Sequence, residues 1–194
     1  MEFSSEKVKV WDAFVRIFHW TVVTLFFCNY LLSDRGMPFA RGNTLHRYAG
    51  YIVIGFVLAR LVWGVIGSKN ARFKNFMPNL AEFKAYMRAM LRGEHPYYEG
   101  HNPAGAVMII CLLSGLLLTG LTGWLSTLGD AFDGWQATVA SATDFIDWGG
   151  VHEFFANLTM LGAGIHITAV VLVSHLTREN LVHAMLSGYK KKPK

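Results

Sequence analysis

The sequence predicts an all-α integral membrane protein: a four-helix bundle with one further amphipathic helix on the cytoplasmic surface. Its mean hydropathy of +0.31 and its 53% content of hydrophobic residues exceed those of ordinary soluble domains. Four apolar segments are each long enough to cross a bilayer as a helix, and the short alternating strands of a membrane barrel are not seen in the sequence. We expect one domain over residues 1–194, with spans at about residues 17–32, 45–66, 103–128 and 150–177.

The basic residues predict how these spans are oriented. With four spans, the N-terminus, the second connection and the C-terminus share one side, and they hold three, six and five Lys or Arg residues. The first connection holds only three, Arg35, Arg41 and Arg47. The positive-inside rule then places both termini in the cytoplasm of a bacterial inner membrane. The net charge of +5 therefore indicates membrane topology and no nucleic-acid partner.

The two longest connections have different characters. In the second, Asn79 as N-cap, Glu82 three residues later and Gly93 as a stop signal predict the amphipathic surface helix. The third connection, residues 129–149, holds Asp130, Asp133, Asp144 and Asp147 and should face the periplasm. It is either an acidic contact for a basic redox partner or a solvated turn.

Four histidines fall at two predicted depths in the membrane. His152 and His166 are fourteen residues apart in the last span, which on an α-helix is a rise of roughly 21 Å and a rotation of about 40°. His19 begins the first span on the inner side, and His46 begins the second span on the outer side. We therefore expect an inner pair, His19 with His166, and an outer pair, His46 with His152.

Two pairs of imidazoles from different helices predict two six-coordinate haems, because neutral imidazole is a common axial ligand of haem iron. The sequence has no C-x-x-C-H motif, so covalent haem attachment is not expected. Zinc is the rival metal, but two histidines per site match its tetrahedral requirement poorly. Most of the remaining histidines are expected to be solvated or interfacial: His95, His101, His175 and His183.

Further candidate haem contacts follow from the same spacing. Arg60 lies fourteen residues after His46, on nearly the same helical face, where it would pair with a haem propionate or extend to the membrane surface. Arg16 and Arg47 are weaker candidates for propionate pairing. Gly50 and Gly162 lie one turn from ligand histidines and would let a porphyrin approach the helix, or would serve helix packing.

Five segments in order, VWDAFVRIFHW, LHRYAGY, HNPAGA, VHEFFANLTMLGAGIH and SHLTRENLVHAM, resemble the bacterial cytochrome b561 family. That family includes the b-type cytochrome subunits of membrane nickel–iron hydrogenases. The resemblance implies four transmembrane helices, two haem b groups and electron transfer. The ligand pattern of the family falls on His19, His46, His152 and His166, which are the residues paired by topology.

The sequence leaves three functions open. The preferred one is electron transfer between membrane quinone (ubiquinone or menaquinone) and a periplasmic cytochrome c or dehydrogenase; its alternative within the same class is a membrane anchor or electron-transfer subunit of a hydrogenase or another periplasmic dehydrogenase. The second is a superoxide oxidase that reduces ubiquinone, for which Arg35, Arg41 and Arg47 would form a basic entry. The third is an ion or solute transporter that uses buried histidines.

Overall fold

The computed structural model describes residues 3–34, 36–41, 43–94, 96–128, 139, 143 and 145–193. Its helices are α1 (Ala13–Leu31), α2 (Thr44–Ile66), α3 (Leu80–Leu91), α4 (Pro103–Leu125), α5 (Trp148–Thr177) and α6 (Leu181–Ser187). A 3₁₀ turn spans Phe73–Asn75, and the strands are β1 (Phe3–Lys9) and β2 (Tyr189–Pro193). Among the described residues, four helices, α1, α2, α4 and α5, are long and apolar enough to cross a membrane. The predicted helical membrane fold is confirmed.

Two helix ends differ from the expected spans by three or more residues, each for a local reason. Helix α1 begins four residues early because Asp12 caps it, with the Val15 N–H donating to Asp12 Oδ1 at 2.8 Å. Helix α4 ends at Leu125 because the next residues form a 3₁₀ turn. Thr127 N–H donates to the Trp124 carbonyl at 3.0 Å, which is the i→i+3 pattern of a 3₁₀ turn.

Helix α3 has the ends that the sequence predicts. Asn79 and Glu82 form a reciprocal capping box, with bonds of 2.9 and 3.1 Å, and Gly93 adopts φ +76° just beyond the helix. Tyr86 is buried, whereas three apolar side chains are exposed: Leu80, Met87 and Leu91. This exposed apolar face suits a helix at a membrane surface, and that location stays a prediction.

The chain forms two compact units, and each of the four long helices contributes a segment to both. The first unit comprises Met1–Thr21, Leu58–Cys111 and Ala163–Lys194, and the second comprises Val22–Val57 and Leu112–Gly162. The expectation of a single domain over residues 1–194 stays a prediction.

In the first unit, β1 and β2 pair antiparallel, which the sequence did not lead us to expect. Lys7 faces Lys191 and Lys9 faces Tyr189. The backbone N–H groups of Val10 and Trp11 both donate to the Gly188 carbonyl, at 2.8 and 3.1 Å. Each strand is short, and the two lie at opposite ends of the chain. No local sequence pattern therefore predicts that they pair.

The apolar core of the first unit includes the residues that surround His101. Val10, Trp11, Val15, Ala71 and Ala184 form a buried cluster. The ring of His101 lies 4.4 Å from that of Trp11 and 4.5 Å from that of Phe76, measured between centroids. Its Nδ1 is shielded from solvent and has no hydrogen-bond partner among the described residues. This burial lowers the pKa of His101 to about 3.

His101 is therefore largely shielded from water, because the chain before α4 folds back onto Trp11. Its interfacial location stays a prediction. His175 and His183 are exposed, as expected. His95 lies outside the described residues.

In the second unit, the glycines of α4 allow close approach of other helices. A Cβ at Gly115 would lie 2.6 Å from Thr159 Oγ1, and a Cβ at Gly120 would overlap Ile54. The hydroxyl groups of Thr119 and Thr159 are 3.3 Å apart. Small residues thus bring polar side chains of two spanning helices into contact.

We predict that Gly64→Ala lowers the thermal unfolding temperature, because the new Cβ would overlap the ring of Phe73. The expected cost is about 1–3 kcal/mol, as for other overpacked cores. Gly55→Ala is the matched control, since Gly55 also lies in α2 and has no atom within 4 Å of the position of its Cβ. Equal unfolding temperatures for the two variants would contradict the packing described for Gly64.

We also predict that His101 makes the protein less stable in mild acid. Its pKa is about 3 in the folded protein and 6.5 in an ordinary environment. Between these pH values the unfolded chain binds one more proton than the folded chain, so stability falls as the pH decreases below about 6.5. At pH 5 the loss is about 1–2 kcal/mol.

The measurement is thermal unfolding between pH 7 and pH 5. His101→Phe should show a smaller loss of stability than the wild type, whereas His175→Phe, at an exposed position, should match the wild type. Parallel losses in the wild type and His101→Phe would show that His101 does not cause the acid sensitivity.

Candidate functional site

The first unit brings His19 of α1 and His166 of α5 together. Their ring centroids are 6.5 Å apart, and the ring planes are inclined at 61°. Typical metal–imidazole bonds of about 2 Å on each side of one metal ion separate two ring centroids by about 6 Å. The spacing of this pair therefore fits a metal ion held between the two rings.

The second unit brings His46 of α2 and His152 of α5 together in the same way. Their ring centroids are 6.2 Å apart, and the planes are inclined at 82°. Both pairs that the sequence predicts are thus adjacent in the structure, each drawn from two different helices. Their role as haem ligands stays a prediction.

Backbone carbonyl groups determine the tautomers of the second pair. His46 Nδ1 lies 3.2 Å from the Phe39 carbonyl oxygen, and His152 Nδ1 lies 2.8 Å from that of Thr119. A carbonyl oxygen can only accept, so each Nδ1 carries the proton and each Nε2 has a free lone pair for a metal.

Gly123 makes the contact of His152 with α4 possible. A Cβ at Gly123 would lie 2.9 Å from the His152 ring. Helix α4 carries no histidine, yet it positions one through this glycine and the Thr119 carbonyl.

In the first unit, which holds this pair, several shielded donors have no acceptor among the described residues. They are Arg16 Nε, Trp20 Nε1 and Arg60 Nη1, and His19 Nδ1 is likewise without a partner. A buried donor left unpaired costs about 1–3 kcal/mol, so a bound acceptor would stabilise this set. Haem carries two propionate carboxylates, which are acceptors of this kind. The residues present therefore fit haem.

The guanidinium of Arg60 is held by both backbone and ring contacts. Its Nη2 donates to the Ala71 carbonyl at 3.0 Å, and its Cζ lies 4.9 Å from the centroid of the Phe73 ring. Arg60 is 3% exposed, so the structure does not show it extending into solvent. Its pairing with a propionate stays a prediction.

Asp12 is a charged residue of this region that our sequence analysis missed. Besides capping α1, it accepts hydrogen bonds from Trp63 Nε1, at 3.0 Å, and from the Ser68 hydroxyl. Burial raises the pKa of Asp12, but these hydrogen bonds and that from Val15 outweigh burial and lower it below 3.8. The resulting carboxylate attracts Arg60. A predicted N-cap at Asp12 would have been the available signal.

The other predicted haem contacts have varied surroundings. Arg16 Nη1 donates to the Leu186 carbonyl at 2.7 Å, and Arg47 is exposed. The nearest atom to a Cβ at Gly50 would be Asn29 Nδ2 at 3.9 Å, which leaves space beside the helix. At Gly162, a Cβ would lie 3.3 Å from Leu112 Cδ2, so this glycine makes a close helix contact.

One exposed ion pair lies beside the second histidine pair. Arg41 makes a bidentate contact with Glu153, at 2.9 and 3.3 Å, and so links the loop after α1 to the residue that follows His152. In the part of the chain that the structure describes, no three His, Cys, Asp or Glu side chains converge to hold a metal ion. The tetrahedral zinc alternative therefore gains no support there.

The sequence profile described as prokaryotic cytochrome b561 matches residues 10–188. The chain is 24% identical over 217 residues to a protein of Bradyrhizobium diazoefficiens named probable Ni/Fe-hydrogenase B-type cytochrome subunit, covering 93% of this chain and 85% of the relative. A protein of the same name from Rhodobacter capsulatus is 24% identical over 214 residues, with 94% and 81% covered. Another, from Azotobacter vinelandii, is 22% identical over 218 residues, with 94% and 88% covered. No solved structure matches the chain.

The profile match runs from the residue after β1 to the residue after α6 and includes all four paired histidines. The four apolar helices agree with a membrane cytochrome, and the facing imidazoles and unpaired donors fit its cofactor. The chain thus belongs to the prokaryotic cytochrome b561 family and is a membrane b-type cytochrome that binds haem b and functions in electron transfer.

Proposed function

We propose that the chain holds two haem b groups, one between His19 and His166 and the other between His46 and His152. We propose further that it transfers electrons between membrane quinone and a redox partner on the periplasmic side. The observation that carries this proposal is the facing of two histidines from different helices in each unit, at 6.5 and 6.2 Å. Haem b supplies a one-electron carrier when bound.

The four histidines would hold the two haems, and ligation of each iron by two imidazoles would suit it to electron transfer and not to oxygen binding. The carbonyl groups of Phe39 and Thr119 keep a proton on Nδ1 of His46 and His152. Hydrogen bonds of this kind orient the rings and make them stronger ligands.

At the other pair, the unpaired donors of Arg16, Trp20 and Arg60 would bind the propionates. The negative charge of Asp12 lowers the free-energy cost of burying the positive charge of Arg60.

The proposed orientation has both termini in the cytoplasm and the His46–His152 pair towards the periplasm. Two observations support it. Lys and Arg are concentrated in the termini and the second connection. The pairing of β1 with β2 brings the two ends of the chain together, as an even number of spans requires.

The proposed partners are ubiquinone or menaquinone in the membrane and a hydrogenase, another dehydrogenase or a cytochrome c in the periplasm. The names of the relatives favour a hydrogenase. Of the predicted acidic contact, Asp130, Asp133 and Asp144 lie outside the described residues. Asp147 accepts a hydrogen bond from Gly150 N–H at 3.0 Å in the first turn of α5.

Superoxide oxidation gains no specific support. Of its three predicted basic residues, Arg41 is paired with Glu153, Arg47 is exposed and Arg35 lies outside the described residues. Electron transfer between quinone and a protein partner therefore remains the function we propose.

Single alanine replacements test the ligand assignment. We expect His19→Ala and His166→Ala to lose the same haem, and His46→Ala and His152→Ala to lose the other, because each pair shares one iron. Haem content per chain and the redox titration of the remaining haem measure this. His175→Ala, at an exposed position in α5, should retain both haems. Retention of two unchanged haems in all four variants would exclude the proposed ligands.

Arg60→Gln tests the role of the buried charge. Removing a positive charge near one haem disfavours its reduced form, so one of two midpoint potentials should fall by on the order of 50 mV. Lys74→Gln removes an exposed charge of the same unit and should leave both potentials unchanged. If Arg60→Gln and Lys74→Gln have the same midpoint potentials, Arg60 has no electrostatic role at the haem.

A further inference from the structure

On one face of the β1–β2 sheet, three of the four side chains that the structure describes are basic. Lys7 lies opposite Lys191, and Lys9 lies opposite Tyr189. Alternate residues of a strand share a face, as do directly opposite residues. The four side chains therefore project together, and all four are exposed. We call these residues, Lys7, Lys9, Tyr189 and Lys191, the basic sheet face.

The opposite face of the sheet packs against the protein. It carries Val8 and its partner Lys190, which is buried and forms a 3.2 Å ion pair with Glu179. Lys192 and Glu6 form an ion pair that alternation also assigns to this opposite face. The ion pairs described for the sheet thus neutralise the side towards the protein.

The pairing of Lys7 with Lys191 is unfavourable by itself, because like charges directly opposite one another destabilise a sheet. A two-stranded sheet is also only marginally stable. An anionic surface against the basic sheet face would remove the repulsion.

The position of the sheet indicates which anion is available. Lys9 precedes the first residue of the spanning helix α1, Ala13, by four residues. Four residues reach at most about 14 Å, so the sheet lies near the polar surface of the bilayer. Tyrosine is enriched at that level. Each lysine near an anionic membrane surface strengthens binding to that surface by about five- to tenfold.

We propose that the basic sheet face binds the headgroups of anionic phospholipids and so anchors the paired chain termini to the membrane surface. Lipid is favoured over an acidic protein because the sheet adjoins a spanning helix, where lipid phosphates are present continuously. This inference does not depend on the haem ligands or on the direction of electron flow.

The experiment uses the haem-loaded full-length protein in nanodiscs of phosphatidylcholine, with or without about one third phosphatidylglycerol. Amide hydrogen exchange of residues 7–9 and 189–191 reports the opening of the sheet. We expect about tenfold slower exchange with phosphatidylglycerol, and we expect high salt to abolish the difference.

A charge reversal separates this proposal from a general effect of lipid. Lys7→Glu places opposite charges across the strands, so in phosphatidylcholine alone its sheet should exchange more slowly than that of the wild type. Its response to phosphatidylglycerol should be several-fold smaller. Lys74→Glu makes the same charge change at an exposed residue of the same unit outside the sheet and should keep the full response.

Exchange that does not depend on phosphatidylglycerol in the wild type would overturn the proposal. An equal response in the wild type, Lys7→Glu and Lys74→Glu would also overturn it, because the lipid effect would then not arise from this face. If soluble polyglutamate slows exchange in phosphatidylcholine nanodiscs while phosphatidylglycerol does not, the face is a docking surface for an acidic protein instead.

Discussion

In each unit, two imidazole rings from separate apolar helices face one another across a gap of one metal ion. Polar groups in a membrane span are costly unless something binds them, and a metal ion shared by the two rings of each pair would reduce that cost. At His46 and His152, backbone carbonyl groups accept hydrogen bonds from Nδ1, which leaves Nε2 of each ring available as a ligand. Gly123 provides the space that this arrangement needs. The contacts of α4 are thus explained by the histidine pair as well as by packing.

Unlike the rings of His46 and His152, the His19 ring has no backbone carbonyl partner at Nδ1 among the described residues. In the same unit, shielded donors on Arg16, Trp20 and Arg60 have no acceptor among the described residues, which is the complement of a bound anion. Asp12 holds Trp63 and Ser68 together and attracts Arg60, so one carboxylate connects the start of α1 to the end of α2. The carboxylate of Asp12 therefore reduces the cost of burying the positive charge of Arg60.

Much of this arrangement was predictable because it depends on helical pitch, apolar length and charge count. Those three quantities predict the four spans and assign His19 to His166 and His46 to His152, and the structure brings the same residues together. The capping box of α3 was predictable because all its parts lie within four residues. In each case the deciding interaction is local or follows from membrane depth.

Other features were not predictable because they depend on contacts between distant parts of the chain. The strands β1 and β2 are too short to be recognised without each other. The burial of His101 requires Trp11 and Phe76 to close around it. The role of Asp12 requires Trp63 and Ser68. Hydropathy placed the start of α1 at the first long apolar run and so overlooked the cap that begins the helix earlier.

The central claim is that the wild-type chain holds two haems, each with both axial positions occupied by histidine. The most direct measurement is haem content per chain, combined with optical spectra of the reduced protein before and after addition of carbon monoxide. We expect two haem b per chain and spectra that carbon monoxide leaves unchanged, because the two histidines of each pair would both bind the iron. A single haem per chain, or a spectrum that shifts with carbon monoxide in the intact protein, would contradict it.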